Sequence, residues 1–122
     1  MDLDTILGLE QYKDKSESLQ IEAKLRDLEF FENYGIGSSK YGKSSEFISE
    51  QRFTRKSDDK LPDLELNIEK WKSGYNVRID LVPYNNNYHR HFGLIPLDQV
   101  ISSVEGSLRE YQNLDKSILS VI

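Results

Sequence analysis

The clearest pattern of apolar and polar positions lies in the middle of the chain. Residues 64–68 place an apolar side chain at every second position, and residues 77–81 do the same. Alternation with a period of two puts all the apolar side chains of a strand on one face. Ser73 and Gly74 lie between the two segments and suit a two-residue hairpin turn. This pattern predicts two antiparallel strands.

The register of this hairpin follows from the position of the turn. With Ser73-Gly74 at the turn, Ile68 lies opposite Ile79, so the apolar faces of the two strands coincide. On the polar face, Glu69 lies opposite Arg78. Opposite charges that face each other across two strands stabilise the pairing, and like charges destabilise it. The predicted register therefore brings opposite charges together.

A second hairpin is predicted to follow the first. The polar residues 84–87 suit a four-residue loop. If the hairpin closes there, Phe92 lies opposite Ile79 and extends the apolar face. His91 then lies opposite Asp80 on the polar face. Pro96 ends the strand, because proline cannot donate a ladder hydrogen bond.

The N-terminal segment favours a helix. Apolar residues recur there at helical spacing, at Ile21, Leu25, Leu28 and Phe31. Residues 19–25 also alternate as a strand would, but the run of good helix formers favours the helix. The polar residues 13–18 predict a break between a short first helix and this one.

Two further elements complete the predicted fold. Residues 98–114 predict a helix with Asp98 as its N-cap and with one apolar face, formed by Ile101, Val104, Leu108 and Tyr111. Phe47–Arg55 is interpreted as an edge strand. We therefore expect a single α+β domain over residues 1–122. It consists of a four-stranded antiparallel meander with the N-terminal and C-terminal helices packed on one face.

Composition excludes several classes of protein. The 122 residues include no Cys, which removes disulfides, thiolate zinc sites and Cys nucleophiles. The 21 acidic and 16 basic side chains give a net charge of −5, which argues against nucleic-acid binding. No apolar run has membrane-spanning length, and the first residues are acidic where a signal peptide is basic. We expect a small cytoplasmic protein.

One segment matches a phosphate-binding motif. Residues 37–44, Gly-Ser-Ser-Lys-Tyr-Gly-Lys-Ser, fit the pattern G-x-x-x-x-G-K-[ST]. That loop requires a buried strand before it and a helix after it. Residues 29–34 are neither apolar nor strand-like, so a plain Gly/Ser loop is favoured. Nucleotide binding at Lys43 stays open as an alternative.

The two histidines offer a second chemical possibility. His89 and His91 point to the same face of a strand, and Asp80 is expected opposite His91. Two imidazoles and a carboxylate can hold a divalent metal. No second carboxylate is placed beside them, and no nucleophile motif accompanies them. We therefore predict no enzyme activity and no cofactor, with a metal-dependent protein as an alternative.

The polar face of the predicted sheet is the best candidate for a functional surface. Trp, Tyr and Arg are frequent anchors in protein interfaces. The predicted partner-binding residues are Glu65, Glu69, Trp71, Tyr75, Arg78, Asp80 and His91. Seven further acids in residues 10–32 could also attract a basic partner.

These features predict a protein that works by binding another protein. The favoured hypothesis is a bacterial immunity protein or antitoxin that binds and occludes a basic toxin, such as a nuclease. The alternative within the binding class is a small acidic secretion-type chaperone. The apolar run Ile118–Ile122 could then serve a homodimer, so both a monomer and a homodimer stay open.

Overall fold

A computed structural model describes residues 3–37, 46–57, 61–84 and 86–114 of the chain, and the side chains from residue 15 to 33 and from residue 46 onward within those ranges. Two helices flank five strands. In chain order the elements are α1 (Leu3–Asp27), β1 (Phe31–Gly37), β2 (Phe47–Arg55), β3 (Asp63–Trp71), β4 (Gly74–Val82), β5 (His89–Ile95) and α2 (Leu97–Gln112). The α+β class is confirmed. None of the described helices is long and apolar enough to cross a membrane.

The sheet has five strands rather than the four predicted. Their order is β1-β2-β3-β4-β5, and each strand is antiparallel to its neighbours. The additional strand is β1, so β2 is an inner strand and not the predicted edge. The composition of β1 hides it, because Phe31–Gly37 includes two glycines, a Glu and an Asn and shows no apolar alternation.

The end of α1 explains why the helical position predicted for Phe31 is wrong, since Phe31 begins β1. The Phe30 amide donates to the Leu25 carbonyl (2.9 Å) and the Glu29 amide to that of Arg26 (2.9 Å), the pattern of a Schellman C-cap. Glu29 takes the left-handed conformation (φ 65°) in which glycine is usual. Phe30, directly after it, is fully buried. The helix therefore stops without the glycine that would mark its end in the sequence.

The first helix is continuous from Leu3 to Asp27, so the break predicted at residues 13–18 is wrong. The helix over residues 19–25 is confirmed, and the strand alternative is excluded. Polar residues within the expected break contact the sheet. Glu17 pairs with Lys70 of β3 and accepts a hydrogen bond from the Tyr75 hydroxyl at 2.7 Å.

The central hairpin is correct in its strands and its faces, but its register differs by two residues. The two turn residues are Lys72 and Ser73, because Trp71 pairs with Gly74. Leu66 lies opposite Ile79, where Ile68 was expected. A slip of two residues keeps every side chain on its predicted face.

Gly74 is needed for close backbone contact rather than for the turn. Its φ is +149°, and a Cβ atom at this position would lie 3.0 Å from the carbonyl oxygen of Ile95. The second hairpin is also displaced by two residues. His89 lies opposite Asp80, and His91 lies opposite Arg78, so the predicted pairing of His91 with Asp80 is wrong.

Both helices pack on the same face of the sheet, as predicted. Gln51 of β2 donates its side-chain amide to the Ser18 carbonyl of α1 at 3.1 Å. Tyr88, directly before β5, donates its hydroxyl to the Ser107 carbonyl of α2 at 2.8 Å. The core between the layers includes Ile21, Leu25, Phe30, Phe53, Leu64, Leu66, Ile68, Val77, Ile79, Leu81, Val100, Val104 and Tyr111.

The start of α2 differs from the prediction. Pro96 occupies the N-cap position, and no side chain caps the helix. Asp98 lies in the first turn, where its charge still complements the helix dipole. Val104, Leu108 and Tyr111 are buried as expected, and Val100 takes the inward position expected for Ile101.

Both edge strands carry β-bulges. In β1 the register shifts twice, between Glu32 and Tyr34 and between Tyr34 and Gly37. In β5 it shifts between Phe92 and Ile95, where Leu94 has φ +52° and is 54% exposed. Bulges bend an edge away from flat pairing and so oppose the addition of another strand.

Candidate functional site

The face of the sheet opposite the helices, called the outer face below, carries most of the predicted site. No described helix covers it. Alternation along β2 to β5 places twelve polar or aromatic side chains there. They are Glu50, Arg52, Thr54, Glu65, Asn67, Glu69, Trp71, Asn76, Arg78, Asp80, His89 and His91.

These side chains form rows that run across the strands. The first row contains Glu65 and Asp80, which are directly opposite each other and are called the acidic pair below. Glu65 is 42% exposed and Asp80 21% exposed in their side chains. His89 lies opposite Asp80 on β5, and its Nδ1 atom bonds to the Asp80 carboxylate. This row is an accessible, carboxylate-rich site.

The second row is basic. Asn67 lies opposite Arg52 on one side and Arg78 on the other, and His91 lies opposite Arg78. Asn67 is 7% exposed, and its Nδ2 atom donates to Glu50 at 3.4 Å. Its Oδ1 atom is buried and has no hydrogen-bond partner among the described residues.

The third row is acidic and buried. Glu50 lies opposite Glu69, and the two residues are 8% and 7% exposed. The Glu50 carboxylate accepts a hydrogen bond from Arg52 Nε at 2.6 Å. The Glu69 carboxylate accepts hydrogen bonds from Trp71 Nε1 (3.3 Å) and Asn76 Nδ2 (3.0 Å).

Opposite charges meet both along the strands and across them, since Arg52 Nη1 lies 3.9 Å from a Glu65 oxygen on the neighbouring strand. Arg52 contacts Glu50 within its own strand, and Arg78 Nε lies 3.6 Å from an Asp80 oxygen, also within one strand. The expected pairing of Glu69 with Arg78 is therefore wrong, because the register is displaced by two residues. Like charges face each other across the strands in the first and third rows.

Trp71 is held at one end of the outer face. Its ring meets Phe47 edge to face, with the ring centroids 5.3 Å apart. Its indole nitrogen donates to Glu69, as described above. The side chain is half-buried, and two contacts fix its orientation. Rigid, partly exposed aromatic side chains are typical anchors of protein interfaces.

Six of the seven predicted partner-binding residues lie on the outer face: Glu65, Glu69, Trp71, Arg78, Asp80 and His91. Tyr75 does not. It lies on the helix side, 5% exposed, and bonds to Glu17. Its position on the apolar face follows from its spacing to Val77. Glu69 is on the correct face but is buried, so it positions Trp71 instead of presenting a free carboxylate.

The prediction missed two charged residues of β2 and one histidine. The sequence does not indicate which face Glu50 and Arg52 occupy, because β2 carries polar residues on both sides. Gln51, between them, faces the helices and is 3% exposed. His89 was placed on the polar face but not in the binding set, because the predicted register put His91 beside Asp80.

Three of the seven acids of the N-terminal segment are engaged within the protein. Glu22 pairs with Arg26 at 2.7 Å, and Glu29 with Arg55 at 3.3 Å. Glu17 bonds to the sheet, as described above. Burial, and then the charge of Glu22, raise the pKa of Glu32 above its usual value. Residues 10 and 14 have side chains outside the described set. The outer face is therefore the stronger candidate surface.

The metal-binding alternative finds little support in the geometry. His91 Nε2 bonds to Asn76 Oδ1 at 2.5 Å instead of joining His89 at Asp80. Over the described ranges, no group of three or more His, Cys, Asp or Glu side chains is close enough to hold a metal ion.

Among the described residues, the elements on either side of the motif do not provide the context that a phosphate-binding loop requires. Residues 38–45 lie outside the described residues, as does the apolar run Ile118–Ile122. The segment before the motif proves to be strand β1, contrary to expectation, but the next described element is the antiparallel strand β2. A nucleotide loop requires a helix at that point.

The chain was also compared with known proteins. The comparisons with protein-family models, with curated proteins and with solved structures found no match.

Proposed function

We propose that this protein is a non-enzymatic binding module that binds and occludes a basic protein. Within that class we favour a bacterial immunity protein or antitoxin directed at a basic toxin, such as a nuclease. The observation that carries the proposal is the acidic pair, Glu65 and Asp80, which is partly exposed on a sheet face that no described helix covers.

The acidic pair is more easily explained by binding than by folding. Two like charges directly opposite each other on adjacent strands destabilise a sheet. Local costs of this kind are expected where function requires them. Arg52 lies 3.9 Å from Glu65 and Arg78 lies 3.6 Å from Asp80, distances too long for hydrogen bonds, so the repulsion is only partly offset within the protein. A lysine or arginine of a partner, placed between Glu65 and Asp80, would relieve the rest and gain two charge-assisted hydrogen bonds.

Trp71 supplies the second component of an interface. It lies on the same strand and the same face as Glu65, and its contacts with Phe47 and Glu69 hold it in place. An aromatic anchor fixed before binding loses little conformational entropy when the partner docks. Together, Trp71 and the acidic pair provide an apolar contact and a charged contact on one surface.

The β-bulges in both edge strands favour binding through the face. A secretion-type chaperone that holds an extended segment by strand addition needs a regular, open edge. Neither β1 nor β5 offers one over its full length. The chaperone hypothesis therefore has less support than the binding of a folded partner.

The test is affinity capture from the native cell with four versions of the tagged protein. We expect the wild type to co-elute with one basic protein in stoichiometric amount. Trp71→Ala and Glu65→Lys should lose it, with affinity reduced about tenfold or more. Asp27→Lys is the matched control, since it makes the same charge change at an exposed position on α1.

Two results would contradict the proposal. The first is that the wild type retains no stoichiometric protein. The second is that Glu65→Lys binds as tightly as Asp27→Lys. If a basic partner is captured, its toxicity in cells should be suppressed by the wild type and not by Trp71→Ala.

A further inference from the structure

Arg78 makes few interactions for a residue in the middle of a charged face. Its side chain is 51% exposed, and its only described ion pair joins Nε to an Asp80 oxygen at 3.6 Å. That distance is too long for a hydrogen bond. Among the described residues, its guanidinium donates no hydrogen bond, so Arg78 covers Asp80 without being fixed there.

Asn67 lies directly opposite Arg78 and needs a hydrogen-bond donor. Its buried Oδ1 atom has no partner among the described residues. Buried polar atoms are rarely left without one, because the loss of hydration is costly. Arg52, on the other side of Asn67, is held by Glu50 at 2.6 Å. Arg78 is the unfixed donor, and the Cβ atoms of directly opposite residues are only about 5 Å apart.

We propose that Arg78 occupies, in the free protein, the place that an arginine of the basic partner takes in the complex. When the partner's guanidinium enters between Glu65 and Asp80, Arg78 leaves Asp80 and donates to Asn67 Oδ1. The identity of the ligand as part of a protein rests on the proposed function; its recognition by the acidic pair does not.

The chemistry of the acidic pair favours a guanidinium. Two carboxylates on adjacent strands present acceptors in two directions, and a guanidinium has five donors in one plane. His89 already bonds one edge of the Asp80 carboxylate, which leaves the edge toward Glu65 and Arg78 for the ligand. The displaced Arg78 keeps its charge within the basic row and gives the buried oxygen its missing donor.

The first experiment uses an arginine peptide as the probe. Acetyl-Gly-Arg-Gly-Arg-Gly-amide is titrated at low salt into ¹⁵N-labelled protein, and its Kd is taken from the amide shifts of β3 and β4. Arg78→Gln removes the internal competitor, so we expect binding at least about threefold tighter than in the wild type. Arg109→Gln, at an exposed position in the last turn of α2, is the control for loss of one positive charge.

The direction in which Arg78→Gln changes the affinity for the peptide tests the displacement hypothesis. If Arg78→Gln binds the peptide no more tightly than Arg109→Gln, the displacement hypothesis is overturned and only net charge matters. If it binds more weakly, Arg78 itself contacts the ligand, and the hypothesis is again overturned. Asp80→Asn should weaken binding about fivefold or more; unchanged binding would remove the acidic pair as the site.

A second variant tests the role of Asn67. Asn67→Val removes the oxygen that receives Arg78, so peptide binding should weaken about threefold in the wild-type background. In the Arg78→Gln background the same substitution should have no effect. An equal effect in both backgrounds would contradict the proposal that Arg78 moves from Asp80 to Asn67 Oδ1 when the ligand binds. The amide spectrum of each variant reports whether the fold is retained.

The experiments distinguish failure of the proposed function from failure of the displacement hypothesis. Peptide binding with the expected coupling, but no protein partner in the cell, would contradict the proposed function and leave the arginine site standing. A stoichiometric partner that depends on Glu65, combined with no Arg78 effect on the peptide, would overturn the displacement hypothesis alone.

Discussion

Tyr88 donates its hydroxyl hydrogen to the carbonyl oxygen of Ser107 across 2.8 Å, and this bond joins the start of β5 to the middle of α2. The side chain is 1% exposed, and its ring centroid lies 5.2 Å from that of Tyr111. Burial, and then the nearby charge of Glu110, raise the pKa of Tyr88 to about 12. The hydroxyl is therefore a donor throughout the physiological pH range.

Tyr88→Phe should lower the stability of the protein. The change removes a buried hydrogen bond, at a cost of about 1 kcal/mol. Urea denaturation followed by circular dichroism would measure it. Tyr84→Phe is the control, because that side chain is 64% exposed and its hydroxyl donates to the side chain of Asn86, which is also exposed. Equal losses in the two variants would show that the bond to Ser107 contributes nothing.

Two glycine substitutions should have opposite effects. Gly74→Ala places a methyl group 3.0 Å from the Ile95 carbonyl oxygen at φ +149°, so we expect a loss of about 1–3 kcal/mol. Gly106→Ala lies within α2 and meets no atom within 4 Å, so we expect a gain of about 0.5–1 kcal/mol. Thermal melts of both proteins would compare them. A stabilising Gly74→Ala would contradict the close approach of β4 and β5.

Ile79→Asp should prevent folding. Ile79 is 1% exposed at the centre of the core face, and a carboxylate there is without water or a partner. The expected loss exceeds about 4 kcal/mol, which is a large part of the stability of a typical domain. Val82→Asp, at an exposed position on the same strand, should still fold. A cooperative melt of Ile79→Asp near the wild-type midpoint would place Ile79 outside the core.

Glu32→Gln should stabilise the protein in a pH-dependent manner. The raised pKa means that the folded protein prefers the protonated carboxyl. The wild type therefore loses stability as the pH rises from the usual value of 4.5 through the raised one. Glutamine is neutral throughout, so the advantage of the variant should be absent below pH 4.5 and should grow above it.

The measurement is the free energy of unfolding at several pH values. Glu105→Gln on α2 controls for the loss of one negative charge. An advantage that does not change with pH would mean that the gain comes from packing and not from titration of Glu32.

The sequence allowed prediction of the elements whose apolar period is regular. β3 and β4 alternate strictly, so their faces were correct even though the register was displaced by two residues. The register is displaced because a glycine next to a serine suggests a turn, whereas Gly74 is required where the backbone of β5 approaches β4. The end of α1 could not be predicted, because Glu29 takes a left-handed backbone conformation. A sequence indicates that conformation only where glycine occupies the position.

The candidate site was predictable to the extent that it depends on alternation. Positions 65, 78 and 80 followed from the period of two. The cross-strand neighbours of these residues could not be predicted. A register displaced by two residues gives every side chain a different neighbour while keeping it on the same face. This is why the acidic pair, which joins Glu65 to Asp80, could be found only in the structure.

The alternation of acidic and basic rows on the outer face affects how fast a partner associates with it and how the partner is aligned once bound. Neighbouring rows are two residues apart, about 6.8 Å along a strand, which is less than the Debye length of about 8 Å at physiological salt. Their fields therefore largely cancel before they reach an approaching protein, and the face adds little to long-range steering. At contact, however, a docked partner that slips by one row meets repulsion at every charge. The face is thus suited to fix the alignment of a complex rather than to accelerate its formation.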